Sequence, residues 1–178
     1  TQSQAAPVID FRIHERATHD KNSFTQGFEL HKGQFYESSG LYGKSYISTY
    51  NPSNELINKR NIDKNLFAEG ITIYQDTLFM LTWKSGRVLH YSLPSLQQIN
   101  EYSIEGEGWG IASTPDGLVV SDGSTQLRVF DPNQMTLRRT INVVDEDGTQ
   151  WRRINEREYA RGIIWANIWQ SPWIIAIC

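Results

Sequence analysis

The chain has 178 residues and a single cysteine, Cys178, so no internal disulfide can staple the fold and either redox compartment is compatible. No apolar run approaches the ~20 residues that cross a bilayer, so no membrane partner is expected. No segment sustains a helical period. An excess of charge of one sign is missing too: 17 Lys and Arg stand against 20 Asp and Glu, a net charge of −3. Nucleic acid and anionic surfaces are therefore not expected as partners. The short basic pairs Lys59-Arg60, Arg138-Arg139 and Arg152-Arg153 read as solvated strand ends. His14, His19, His31 and His90 show neither i, i+4 pairing nor clustering, which argues against a catalytic metal and for surface or turn roles. No Ser/His/Asp arrangement or phosphate-cradling glycine loop is evident. The start, Thr1 to Pro7, is small and polar without Met, as after signal-peptide removal, so a secreted or periplasmic location is expected.

Aromatics, by contrast, are plentiful: six Trp, eight Tyr and seven Phe. So are short strands in a repeat. Each unit opens with a short strand, glycine-marked in the first three units, and continues into a second apolar strand. Gln26-Gly27-Phe28 is followed by Gln34 to Ser38, Glu69-Gly70-Ile71 by Thr77 to Trp83, and Trp109-Gly110-Ile111 by Leu118 to Asp122. A fourth unit opens at Asn155 and continues with Ile163 to Asn167. Gln26, Glu69, Trp109 and Asn155 follow one another at successive intervals of 43, 40 and 46 residues. Several short strands at such a period are the signature of β-propeller blades.

The sequence thus predicts an all-β fold, a propeller of four-stranded antiparallel blades forming one domain over 1–178. Blades are expected at about 24–66, 67–106, 107–150 and 151–178. Third strands are visible at Tyr46 to Tyr50, Val88 to Tyr91 and Leu127 to Phe130, each followed by a proline turn. Fourth strands follow at Ile57 to Ile62 and Leu137 to Ile141. Phe11 and Ile13 alternate against Arg12 and His14, so residues 9–19 read as an extended N-terminal strand, of the kind that completes the last blade of a propeller. Ile174 to Ile177 reads as the third strand of blade four. Two readings stay open there: a ring of four blades closed by the N-terminal strand, giving a monomer, or further sequence beyond Cys178, without which the ring would be open beside blade four and its apolar edges would favour association.

In a radial array the opening residues of the inner strands face one mouth of the central channel. Gln26, Glu69, Trp109 and Asn155 would converge there: a carboxylate, two carboxamides and an indole. Phe24 and Phe67 each precede an opening residue by two, and Trp83 and Trp169 end second strands near the same face. Any one of the polar three alone reads as an inter-blade hydrogen bond. Together, ringed by aromatics, they read as a small-ligand site. Backbone carbonyls around the channel could hold a structural calcium; no other cofactor is expected. Asp122 and Asp131 fit turn chemistry.

The motifs FTQGF (24–28), FYESSGLYGKS (35–45), FAEGIT (67–72), LTWKSG (81–86), EGWGI (107–111), SDGS (121–124) and INEREYARGIIWANIW (154–169) run through nearly the whole chain. In this order and spacing the sequence resembles the plant and bacterial type of glutaminyl cyclase, a five-bladed propeller. The resemblance implies metal-independent cyclisation of an N-terminal Gln of peptides to pyroglutamate, with peptide or protein substrates as partners. By motif it implies that Glu69 is the catalytic carboxylate, Asn155 the catalytic partner of the substrate amide and Gln26 a substrate-binding carboxamide. Phe24, Phe67, Trp83, Trp109 and Trp169 would form the substrate wall. The family also carries a fifth blade with a catalytic lysine, which would follow Cys178, so little turnover is expected of these 178 residues alone. The alternative reading is a non-catalytic propeller that binds peptide N-termini or sugars.

Overall fold

The computed structural model describes residues 7–178; the small polar start from Thr1 to Ala6 lies outside them. Among the described residues, fifteen strands and no helix make four antiparallel sheets. Blade one is β1 (Thr25–His31), β2 (Gln34–Ser39), β3 (Tyr46–Tyr50) and β4 (Leu56–Asn61), in that spatial order. Blade two is β5 (Ala68–Tyr74), β6 (Thr77–Thr82), β7 (Arg87–Ser92) and β8 (Gln97–Ser103). Blade three follows with β9 (Ile111–Thr114), β10 (Gly117–Ser121), β11 (Gln126–Phe130) and β12 (Leu137–Asn142). The described part of blade four has three strands, β13 (Ile154–Ala160), β14 (Ile163–Ile168) and β15 (Ile174–Ile177). The architecture is the four-blade propeller array that the repeat predicts.

Alternation along each strand sends successive side chains to opposite faces, and here the two faces meet different neighbours. On β6, Leu78 and Met80 join a core with Tyr36, Ile47 and Ile71 between blades one and two. Phe79 and Leu81 turn the other way and pack with Ile111, Leu118 and Val120 between blades two and three. Val119, Leu127, Val129, Ile154 and Ala166 fill the third interface. The fourth strands β4, β8 and β12 are largely exposed, which is why they carry the charged pairs Lys59-Arg60 and Arg138-Arg139.

Glycine at the strand openings is required by how closely the inner strands approach. A Cβ on Gly70 would lie 2.7 Å from the Trp109 carbonyl oxygen and 2.8 Å from the Gly110 Cα. With only hydrogen there, the Gly70 N–H donates straight to the Trp109 carbonyl at 2.8 Å, joining blade two to blade three. Ser38 and Ser121 add the equivalent stitches, donating to the carbonyls of Glu69 and Asn155 at 2.6 and 3.1 Å.

Two expectations need correction. Residues 9–19 form no strand and pair with none of the four described sheets, and Phe11 is 86% exposed. Its end is held on blade one instead, where the buried Glu37 carboxylate bonds His19 Nε2 at 2.9 Å and Asn54 donates to the Thr18 carbonyl. His90 is not a surface or turn residue. It is buried, with its ring centroid 4.0 Å from that of Phe79 and 4.8 Å from that of Tyr102, and burial lowers its pKa to about 4.

Candidate active site

The opening residues sit on bulges. Between Thr25 and Gly27, Ala68 and Ile71, and Ile154 and Arg157, the inner strand carries one residue more than its partner. A bulge breaks the two-residue alternation and re-aims a side chain. Gln26, Glu69 and Asn155 all lie within these irregular steps. In blade three the same place is held by Trp109, whose N–H donates to the Ser121 carbonyl while Ser121 N–H donates back to Gly110.

The aromatic residues form two joined groups. Phe24 meets Phe67 edge-on at 6.2 Å between ring centroids, and Phe67 meets Trp83 at 5.5 Å. Trp109 meets Trp169 edge-on at 5.8 Å. Edge-to-face pairs at such separations are favourable arrangements of aromatic rings. Tyr42, not singled out from the sequence, adds a third ring against Phe67 at 5.5 Å. Two glycines make room for these rings. The Phe67 ring lies over Gly40, and the Trp109 ring over Gly123, where a Cβ would come within 2.6 Å of it. Gly123 also has φ +78, a backbone region that glycine adopts readily.

What joins the two groups is Glu107. One of its carboxylate oxygens accepts from Trp83 Nε1 at 2.9 Å and from Trp109 Nε1 at 2.8 Å. Sequence reasoning quoted Glu107 only as part of EGWGI. Its signal was an acidic residue two before a site tryptophan, but the second indole comes from another blade.

Glu69 is 7% exposed. Its carboxyl makes no hydrogen bond among the described residues, and burial, with the nearby negative charge of Glu107, pushes its pKa up to about 8. The side-chain amides of Gln26 and Asn155 also make no hydrogen bond among the described residues; both residues are half-buried. These three polar groups are thus uncommitted to inter-blade bonds, and it is their backbones or neighbours that stitch the blades.

Glu156 is the other carboxylate that the sequence did not flag. It takes the place that Gly27, Gly70 and Gly110 hold in the other blades, and its Oε2 lies where a Cβ on Gly70 would be. Both of its oxygens are buried without a partner. Burial raises its pKa well above the usual carboxylate range; Arg157 opposes that shift, while Glu29, Glu69 and Glu158 add to it. Glu29 on β1 accepts from the Ile73 N–H at 3.0 Å and is itself pushed up to about 7 by burial. Among the described residues no group of three His, Cys, Asp or Glu side chains is arranged to hold a metal. Asp122 and Asp131 accept from backbone N–H groups in their turns, as turn residues do.

The fold and the site therefore define a β-propeller in which two aromatic clusters are joined through Glu107 and a buried carboxyl, Glu69, has a raised pKa. The profile of the glutamine cyclotransferase family matches residues 1–178, and the chain belongs to that family. It is 34% identical over 165 residues to a glutaminyl-peptide cyclotransferase of Arabidopsis thaliana, covering 89% of this chain and 50% of that protein. The chain thus spans about half the length of the curated relative it matches. The crystal structure of Myxococcus xanthus glutaminyl cyclase superposes with a TM-score of 0.81 at 32% identity, over 89% of this chain and 67% of that one. A Bacteroides caccae protein of unknown function shares the fold alone, with a TM-score of 0.67 at 16% identity, over 90% of this chain and 65% of that one.

Proposed function

We propose that these blades supply the acid–base and substrate-wall residues of a glutaminyl-peptide cyclotransferase, which converts the N-terminal Gln of a peptide to pyroglutamate and ammonia. Family membership points to this reaction, and the observation that carries it to particular atoms is Glu69. A free α-amine titrates near pH 8, and Glu69, at about 8, is matched to it. Proton transfer between groups of equal pKa needs little driving force in either direction.

In this reading the substrate α-amine attacks the γ-carboxamide carbon of the same residue. The new C–N bond forms as Glu69 takes the amine proton. Collapse of the tetrahedral intermediate breaks the original C–N bond, and Glu69 returns the proton to the departing nitrogen, which leaves as ammonia. Atoms and charge balance without a redox partner, and no step is routed through a metal. Asn155 and Gln26 have free carboxamides that can donate to the substrate's oxygens and accept from its amine. In this reading the aromatic wall of Phe67, Trp83, Trp109 and Trp169 holds the folded Gln conformer that five-membered closure requires. Well-oriented intramolecular reactions reach effective molarities on the order of 10⁵ M or more.

The test is coupled ammonia detection with a Gln-initiated dipeptide and the intact full-length protein. Glu69→Gln preserves shape and polarity but cannot accept the amine proton, so it should abolish turnover. Undiminished turnover in the variant would remove Glu69 from the mechanism. A wild-type protein that binds the dipeptide and releases no ammonia would assign the chain to the non-catalytic binding reading.

A further inference from the structure

Two tryptophans from different blades share a single acceptor in this site. Trp83 directly follows the second strand of blade two and Trp109 opens blade three, yet both indole N–H groups donate to Glu107 Oε2, at 2.9 and 2.8 Å. An ionised acceptor makes these the stronger kind of hydrogen bond. Glu107 itself has little freedom to move. It lies in the loop between β8 and β9, where Arg128 donates to the carbonyls of Glu105 and Glu107. The Gly108 N–H donates to the Trp83 carbonyl at 3.0 Å and the Ile104 N–H to Gly86 at 2.7 Å. Each indole has further neighbours, Phe67 and Lys84 at Trp83 and Trp169 and Gly123 at Trp109.

We propose that Glu107 is a positioning residue for the cyclisation: it locks Trp83 and Trp109 into one rigid slot. This inference rests on the cyclotransferase reading of the site. An indole N–H left without an acceptor would turn toward the substrate or toward water, and the slot would widen at the seam between blades two and three. The charge acts separately. Charge repulsion links Glu69 to Glu107 in the β8–β9 loop and to Glu156 on β13, and Glu156 also feels Arg157, Glu29 and Glu158. Lys84 stands over the Trp83 ring, 4.2 Å from its centroid. Burial is the main cause of the raised proton affinity of Glu69 and the charge of Glu107 adds to it, so neutralising Glu107 should make Glu69 a weaker base.

Two readouts separate these roles. In full-length protein labelled with ¹⁵N at tryptophan, Glu107→Gln and Glu107→Ala should shift the indole N–H signals of Trp83 and Trp109 upfield together, while Glu107→Asp restores part of the shift. This readout needs no activity. With a Gln-initiated dipeptide, Glu107→Gln should lower kcat/KM by about ten-fold or more, with KM raised and kcat lowered together. The acidic limb of its kcat/KM profile should move to lower pH, since the profile reports the free enzyme's base. Indole signals unmoved in a folded Glu107→Gln protein overturn the clamp. Shifted signals with an unmoved acidic limb overturn the electrostatic role and leave Glu107 merely structural. Absence of ammonia release from wild type counts against the cyclotransferase reading instead, and the clamp still stands or falls on the indole signals.

Discussion

Replacing Glu69 by Gln removes one titration while keeping the side chain's shape, so it isolates what that carboxyl contributes to stability. Glu69 titrates near 8 in the folded chain against an ordinary 4.5, and it is almost wholly shielded from solvent. The folded protein therefore binds this proton more tightly than the unfolded chain does. Stability from this group is full below the unfolded value of about 4.5 and is lost as pH rises through about 8. With each unit worth about 1.4 kcal/mol, wild type should lose about 2–3 kcal/mol from Glu69 between about pH 5 and pH 7, and about 4 kcal/mol by pH 9. Glu69→Gln lacks this loss. Urea unfolding of both proteins at the three pH values gives the difference directly, and subtraction cancels most of what Glu29, Glu156 and Glu158 contribute to both. Relief of repulsion on Glu107 and Glu156 in the variant acts in the same direction. Wild-type and variant stabilities that run parallel within about 0.5 kcal/mol would refute the buried, high-pKa placement of Glu69.

Glu156→Gln should flatten the decline of stability above neutral pH, because it removes a buried carboxyl with no hydrogen-bond partner; a steeper decline by the same unfolding measurement would show that attraction to the Arg157 charge outweighs its burial. Gly123→Ala should cost about 1–3 kcal/mol in thermal unfolding, from strain at positive φ and from pushing the Trp109 ring aside. Its kcat/KM should fall with it, and an unchanged value would show that the position of Trp109 does not limit the reaction.

Most of the strand plan is local chemistry, and it could be read from the chain alone. Alternation of apolar residues and the turns between them are properties of neighbours in sequence. Thus Tyr46 to Tyr50 and Leu127 to Phe130 appear as strands β3 and β11 within a residue of where their pattern places them. The opening residues were legible because the repeat aligns Gln26, Glu69, Trp109 and Asn155 with one another. The glycine after the first three could be seen, but its reason, backbone contact between blades, could not. Residues 9–19 alternate like a strand yet form none, because alternation says nothing about whether a ladder partner is within reach.

Only the tertiary structure decided the chemistry at the centre. Bulges, which no alternation rule forecasts, turn Glu69 and Asn155 out of the ladder. Glu107 became a site residue when two blades brought Trp83 and Trp109 to one of its oxygens, 24 and 2 residues away in sequence. Glu156 looked like one more charged residue until the inner strands closed around it and left both its oxygens unpartnered. A carboxyl's proton affinity is set by how much water the whole fold removes and by which charges it brings near. Those quantities are sums over distant parts of the chain, so a residue's identity and sequence neighbours do not contain them.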